Sequence, residues 1–295
     1  LDALAEAASV LGNDEWAAIA RNGLQVCVDQ LTTAHQGVSL EAKGRPKSAA
    51  ADCELLAALA SWLPATLEQP AVFSLVQQVL TFFKADGMIS DLAPGFRAGT
   101  DHDILPGVAL VALGRYARHA GSCNEAAHLE EQLAWYRRRF RLCRSWAMIG
   151  WQMQGWSVLW DVAAVRGARD FVFEMADWAI SLQLDKNGAF LTDLAVAGPS
   201  FHTACVAEGV VEAWRLAAAA GQSERAERYA NSWRRSIDFM GSLTVEEIDG
   251  DLLPNPRRAL GGVRPSLSDS RLRIDYSAHL LRALVRGMAL MEHSF

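Results

Sequence analysis

Arg273, Asp275, Tyr276 and His279 fall within seven residues of a stretch, RIDYSAHLLRAL (273–284), that otherwise reads as a buried helix. Ionisable groups are costly to bury unless they are paired or used. Asp275 and His279 stand at i and i+4, so a helix puts them on one face. There a carboxylate can hold an imidazole in one tautomer, an arrangement suited to a general base. Tyr276 lies about 100° round from Asp275 and about 60° from His279, so all three can face one lumen. The plainer alternative is an internally satisfied polar cluster tying this helix to its neighbours.

Three other places carry comparable groups. Asp101-His102-Asp103 precedes an apolar run. One of Asp101 and Asp103 is a natural N-cap, but two acids around a histidine exceed that need and are candidate catalytic residues. As a metal or diphosphate motif the pair is weak, because Ile104-Leu105 follows it. His202 opens a second apolar segment, and Glu208 sits inside it between Ala204 and Val211. An unpaired carboxylate there would suffer desolvation and a raised pKa. The segment before the last helix holds Arg257, Arg258, Arg264 and Arg271 around Gly261-Gly262. Arg264, with Arg273 beyond it, is the candidate to clamp a carboxylate or phosphate, and solvated loop arginines are the simpler alternative. Trp151 and Gln152 are candidate substrate-binding residues in a segment that also contains Trp146, Trp156 and Trp160. Those rings are either core or an aromatic wall for sugar faces or a prenyl chain.

A net charge of -6 argues against nucleic acid, which calls for a basic patch. The run Arg137, Arg138, Arg139, Arg141 and Arg144 goes round its helix and reads as a solvated outer face. Cys27, Cys53, Cys123, Cys143 and Cys205 are scattered without zinc-ligand spacing, and Cys53 and Cys205 read as small core residues. No metal and no cofactor are expected. No apolar run approaches the roughly 20 residues that span a bilayer, so no membrane is expected and a cytoplasmic location is the default. The start at Leu1 without methionine leaves further domains open, as it does a homodimer.

These groups need a scaffold, and the periodicity supplies one that is all-α. Eleven helices are expected over about 1–12, 14–35, 49–63, 70–86, 103–120, 124–144, 146–166, 168–184, 200–220, 223–243 and 272–293. Gly12, Gly121, Gly167 and Gly221 mark short turns where a left-handed residue ends a helix. Long links at 36–48, 87–102, 185–199 and 244–271 alternate with the short ones, the join near Trp146 excepted. Short links make hairpins at one end, so the long loops gather at the other. The expectation is a single (α/α)6 toroid over residues 1–295, with odd-numbered helices inside; an open superhelix is the alternative. The N-termini of the inner helices then share one mouth, where free N–H groups gather.

The phrases DHDILPGVALVALGRYARHAG and RIDYSAHLLRAL resemble the six-hairpin (α/α)6 carbohydrate-active enzymes: unsaturated-glucuronyl hydrolases, N-acylglucosamine 2-epimerases and the helical domain of glucuronyl epimerases. Pro106-Gly107 followed by Ala-Leu-x-Ala-Leu-x-x-Tyr is similar to their inner helices, and Asp275-Tyr276 with His279 to the end of the last of them. The resemblance implies a hydrolase, lyase or epimerase acting on a sugar or sugar acid, with a small molecule or oligosaccharide as substrate. Asp101 or Asp103, Glu208, Asp275, Tyr276 and His279 would serve as acid and base. Two other readings stay open: a helical scaffold binding a peptide or protein, and an isoprenoid cyclase-like toroid using Asp101 and Asp103.

Overall fold

Each of the eleven expected helices is present in the computed structural model, which describes residues 1–35, 48–90, 101–121, 128–190, 198–253 and 255–292. They are α1 (Asp2–Leu11), α2 (Asp14–His35), α3 (Ala49–Trp62), α4 (Pro70–Leu80), α5 (Asp101–Ala120), α6 (Leu129–Leu142), α7 (Trp146–Ala163), α8 (Ala168–Ser181), α9 (His202–Ala219), α10 (Ser223–Leu243) and α12 (Ile274–Glu292). A four-residue helix that periodicity could not announce, α11 (Pro256–Ala259), lies in the long segment before α12. The protein is all-helical, with no strand among the described residues. Gly12, Gly121, Gly167 and Gly221 all take positive φ, as their turns require.

Helices α4 and α8 stop earlier than expected, for the same reason. The turn Asp86-Gly87 ends the run after α4, where Phe83 and Ile89 form an isolated antiparallel bridge. Asn187-Gly188 does the same after α8, bridging Gln183 to Phe190. Asp-Gly and Asn-Gly favour tight reversals because glycine accepts positive φ and the Asx side chain bonds nearby backbone. Asp86 Oδ1 accepts from Met88 N–H at 3.0 Å and Asn187 Oδ1 from Ala189 N–H at 3.1 Å. Each reversal is braced by the next even-numbered helix. The Tyr136 hydroxyl on α6 accepts from Ile89 N–H, while Gln183 binds Gly188 O, Ser232 O and Ser236 Oγ on α10. The chain thus repeats one device twice.

The chain divides inside α8 into two compact units, Leu1–Phe171 and Val172–Phe295. In the first, α5 and α7 run parallel in close contact through glycines. A β-carbon on Gly107 would fall 2.7 Å from Gln152 N, one on Gly155 would fall 2.5 Å from Leu110 Cβ, and one on Gly114 would fall 2.3 Å from a Val158 methyl. That contact accounts for the Pro106-Gly107 phrase. The N-terminus is tied in by Asp2, whose Oδ1 accepts from Trp62 Nε1 at 2.8 Å and from Arg115 at 2.9 Å.

In the second unit α9 and α10 form an antiparallel hairpin, and α12 packs against α9 and α10. Trp233 of α10 fixes α12: its Nε1 donates to Ala283 O at 2.8 Å, and its ring occupies the notch left by Gly287. Ala189, Ala204, Phe239, Met240, Leu243 and Val263 form the local core, with Phe201, Tyr276 and Leu280 packed on it. Pro265 and Ser266 lie against the start of α9, where Ser266 bridges Ser200. Val245 and Gly262 pair with each other, and Phe201 N–H donates to Pro265 O at 3.0 Å. No helix among the described residues is long and apolar enough to cross a membrane.

Candidate functional site

The α9–α12 seam brings together ionisable side chains from both helices. Both helices present them at helical spacing, and the pairs step down the seam in the same order on each, so the helices run parallel. Phe201 stacks on Tyr276 with ring centroids 3.7 Å apart. Further along, Glu208 Oε1 lies 2.5 Å from His279 Nδ1, and Glu208 Oε2 lies 3.4 Å from Arg282 Nε. At the next turn Glu212 faces Arg286 at 3.8 Å and holds Arg215 at 3.0 Å.

Glu208 is fully buried, and the His279 side chain keeps 15% of its exposure. Burial alone would raise the Glu208 pKa, but Arg282 and His279 beside it bring the net shift down. The expectation of a raised pKa assumed an unpaired carboxylate, and here it is paired. For His279, burial works against the charged form, but negative charge at Cys205 and on the Glu208 carboxylate, with hydrogen bonds to both, outweighs it and the pKa is pushed up to about 10. At neutral pH the pair is therefore imidazolium and carboxylate, which makes His279 a proton donor in its resting state.

The carboxylate that holds His279 is thus Glu208, not Asp275. Asp275 is taken by Arg273, whose Nε and NH2 each lie 2.9 Å from one of its oxygens. A two-residue spacing at the exposed start of α12 lets the guanidinium fork close on that carboxylate bidentately. Arg273 also lies over the Tyr276 ring at 5.2 Å, so Tyr276 is engaged by both Phe201 and Arg273. His202 Nδ1 lies 2.9 Å from Ser200 Oγ, with its ring beside Phe201. Phe201, His202, Tyr276 and His279 therefore gather at the upper end of this seam.

Arg264 is placed elsewhere. Its Nε donates to Leu243 O at 3.3 Å and its NH2 to Ser242 O at 3.2 Å, with Asp249 at 3.6 Å. These contacts satisfy carbonyls at the end of α10, where a cation also suits the helix dipole. The guanidinium expected to clamp an anion is a helix cap.

In the first unit Asp103 pairs with Arg139 of α6 at 2.5 Å, so one member of the arginine run turns inward while Arg138, Arg141 and Arg144 stay exposed. The Asp101 side chain lies outside the described residues. Trp151 is half-buried with its Cβ against Gly107, and Gln152 is buried and accepts from Trp156 Nε1 at 2.6 Å. Gln152 Nε2 is buried with no hydrogen-bond partner among the described residues. Trp156, 0% exposed, is core and not a wall.

One residue of the seam, Cys205, read in the sequence as a small core residue. Cys205 is partly exposed and hydrogen-bonded to His279. The signal was present: Cys205 and Glu208 stand at i and i+3, so they share a helix face. Among the described residues no group of three or more His, Cys, Asp or Glu is placed to hold a metal ion. No family model, no curated protein and no solved structure matches this chain.

Proposed function

We propose that this chain is an enzyme acting on a sugar or sugar acid, as a hydrolase, lyase or epimerase, by general acid/base catalysis at His279 in the mouth of an (α/α)6 toroid. The observation that carries the reading is the buried Glu208 carboxylate on His279 Nδ1, which holds a charged imidazole at a partly open position. A structural ion pair would do as well fully buried, whereas a proton donor has to be reached. The parallel α5–α7 and α9–α12 pairs support the ring, because its inner helices all run one way.

The test is a thermal-shift screen with uronic acids, hexosamines and their oligomers, followed by turnover assays on whatever binds. A ligand at 100 times its Kd adds about 2.7 kcal/mol of stability. The expected result is a rise with a sugar acid that disappears in His279→Gln, with turnover lowered about 100-fold or more. A panel of sugars that neither bind nor turn over would sink the reading.

A non-catalytic scaffold for a peptide or protein is the second reading. It is favoured by the charged candidates that find partners within the fold: Asp103 with Arg139, Arg264 with Asp249 and Arg273 with Asp275. The cyclase-like alternative has less support, since Asp103 is engaged by Arg139.

A further inference from the structure

Cys205 does not stand alone. Phe201, Cys205, Glu208 and Glu212 recur at three- and four-residue intervals, so they form one stripe along α9. Tyr276, His279, Arg282 and Arg286 form the facing stripe on α12. The printed pairs fix the register: Phe201 to Tyr276, Glu208 to His279 and Arg282, Glu212 to Arg286. Cys205 lies one turn below Phe201, and His279 one turn below Tyr276, so the register sets thiol against imidazole. Glu208, the next residue down the stripe, takes His279 Nδ1 at 2.5 Å. A thiol and a carboxylate therefore flank one imidazole, and the thiol is on the partly exposed side.

We infer that Cys205, His279 and Glu208 form a nucleophile, proton carrier and positioning carboxylate, and that Cys205 is acylated by ester or thioester substrates. The chemistry follows from the residue types. A thiol is the strongest uncharged nucleophile among side chains, and an adjacent imidazole oriented by a third group is what activates it. In the first step Cys205 Sγ bonds to the acyl carbon and the bond from that carbon to the leaving oxygen or sulfur breaks. His279, protonated at rest, gives its proton to the leaving alcohol or thiol and takes up the proton that Cys205 loses. In the second, water adds to the acyl carbon, the Sγ–carbon bond breaks, the free acid leaves and the thiol regains a proton from that water. Neither step needs an oxidant, reductant or metal. This activity goes beyond the sugar reading and does not depend on it.

The experiment uses the full chain and p-nitrophenyl acetate. Release of p-nitrophenolate is followed in the first turnover, and acetylated cysteines are mapped by peptide mass spectrometry. Cys143, which is exposed, and Cys53, which is buried, serve as internal references. The expected result is a stoichiometric burst with the acetyl group on Cys205 ahead of Cys143. The burst is lost in Cys205→Ser and slowed about 100-fold in His279→Gln. Acetylation of Cys143 ahead of Cys205, or a burst unchanged in His279→Gln, overturns the inference. The partition between Cys205 and Cys143 is read in the unaltered protein, so it decides the matter even where His279→Gln fails to fold. Failure of the sugar panel leaves this result untouched, and the reverse also holds.

Discussion

His279 Nδ1 on α12 lies 2.5 Å from Glu208 Oε1 on α9, and Arg282 reaches the second carboxylate oxygen at 3.4 Å. Glu208 has no exposure at all, so its charge depends on these two cations for the stabilisation that water would otherwise supply. Removing one partner of a buried pair leaves the others uncompensated, at a cost of about 3–5 kcal/mol. Glu208→Leu should destabilise the protein by roughly that amount in urea unfolding. Replacing Glu208, His279 and Arg282 together by Leu, Leu and Met should recover most of the loss, because buried ion pairs are often no better than well-packed apolar groups. A single substitution with little effect would mean that water reaches the carboxylate.

The same pair sets a pH window. The Glu208 pKa is lowered by folding, so its contribution is present above the ordinary carboxylate range and lost on acidification. The His279 pKa is raised to about 10 by folding, so its contribution is complete below the ordinary imidazole value and lost as pH climbs towards 10. Stability from this pair should be greatest between roughly pH 4.5 and 6.5. Above that it should decline by at most about 1.4 kcal/mol per pH unit, the limit for one proton. Tm measured from pH 6 to 10 in the unaltered protein and in His279→Gln checks this. The two curves should converge as pH rises, and parallel curves would refute the assignment.

The helices were legible because their signals are local. Apolar periodicity and the glycines at 12, 121, 167 and 221 act through the chain's own geometry, and both are borne out. The early stops at Leu80 and Ser181 were not read, because helical periodicity masked the turn signals Asp86-Gly87 and Asn187-Gly188. Partnership across helices was not legible. Asp275 at i−4 from His279 was the nearest carboxylate in sequence, but Arg273 two residues away competes for it, and Glu208 arrives from 71 residues earlier. Arg264 likewise read as a ligand clamp because the end of α10 that it caps is distant along the chain. Cys205 was passed over as a small apolar residue because its neighbour on the other helix could not be seen.

Gly287 offers a test in which two effects oppose. In a helix interior alanine is better than glycine by about 1 kcal/mol. Yet a β-carbon at 287 would fall 2.2 Å from Trp233 Cε2, and Trp233 cannot swing away without losing its 2.8 Å bond to Ala283 O. Overpacking a rigid ring costs about 1–3 kcal/mol, so the clash wins. Gly287→Ala should lower stability, and Trp233 fluorescence should report a changed environment. A stabilised variant would mean that α12 shifts along α10 at little cost.

The final prediction separates the two carboxylates near His279 and applies to a sugar acid identified by the screen. Asp275 binds Arg273 at the exposed start of α12, so Asp275→Asn should change kcat by only a few-fold. Glu208→Gln removes one of the charges that keep His279 protonated, and kcat should fall about 100-fold at neutral pH. The basic limb of the kcat/KM profile should also move from near 10 towards the ordinary imidazole value. That displacement distinguishes a positioning role from a merely structural one, since a loosened fold lowers activity without moving the limb. If Asp275→Asn abolishes turnover while Glu208→Gln leaves the profile in place, then acid catalysis belongs to the exposed start of α12 and not to the seam.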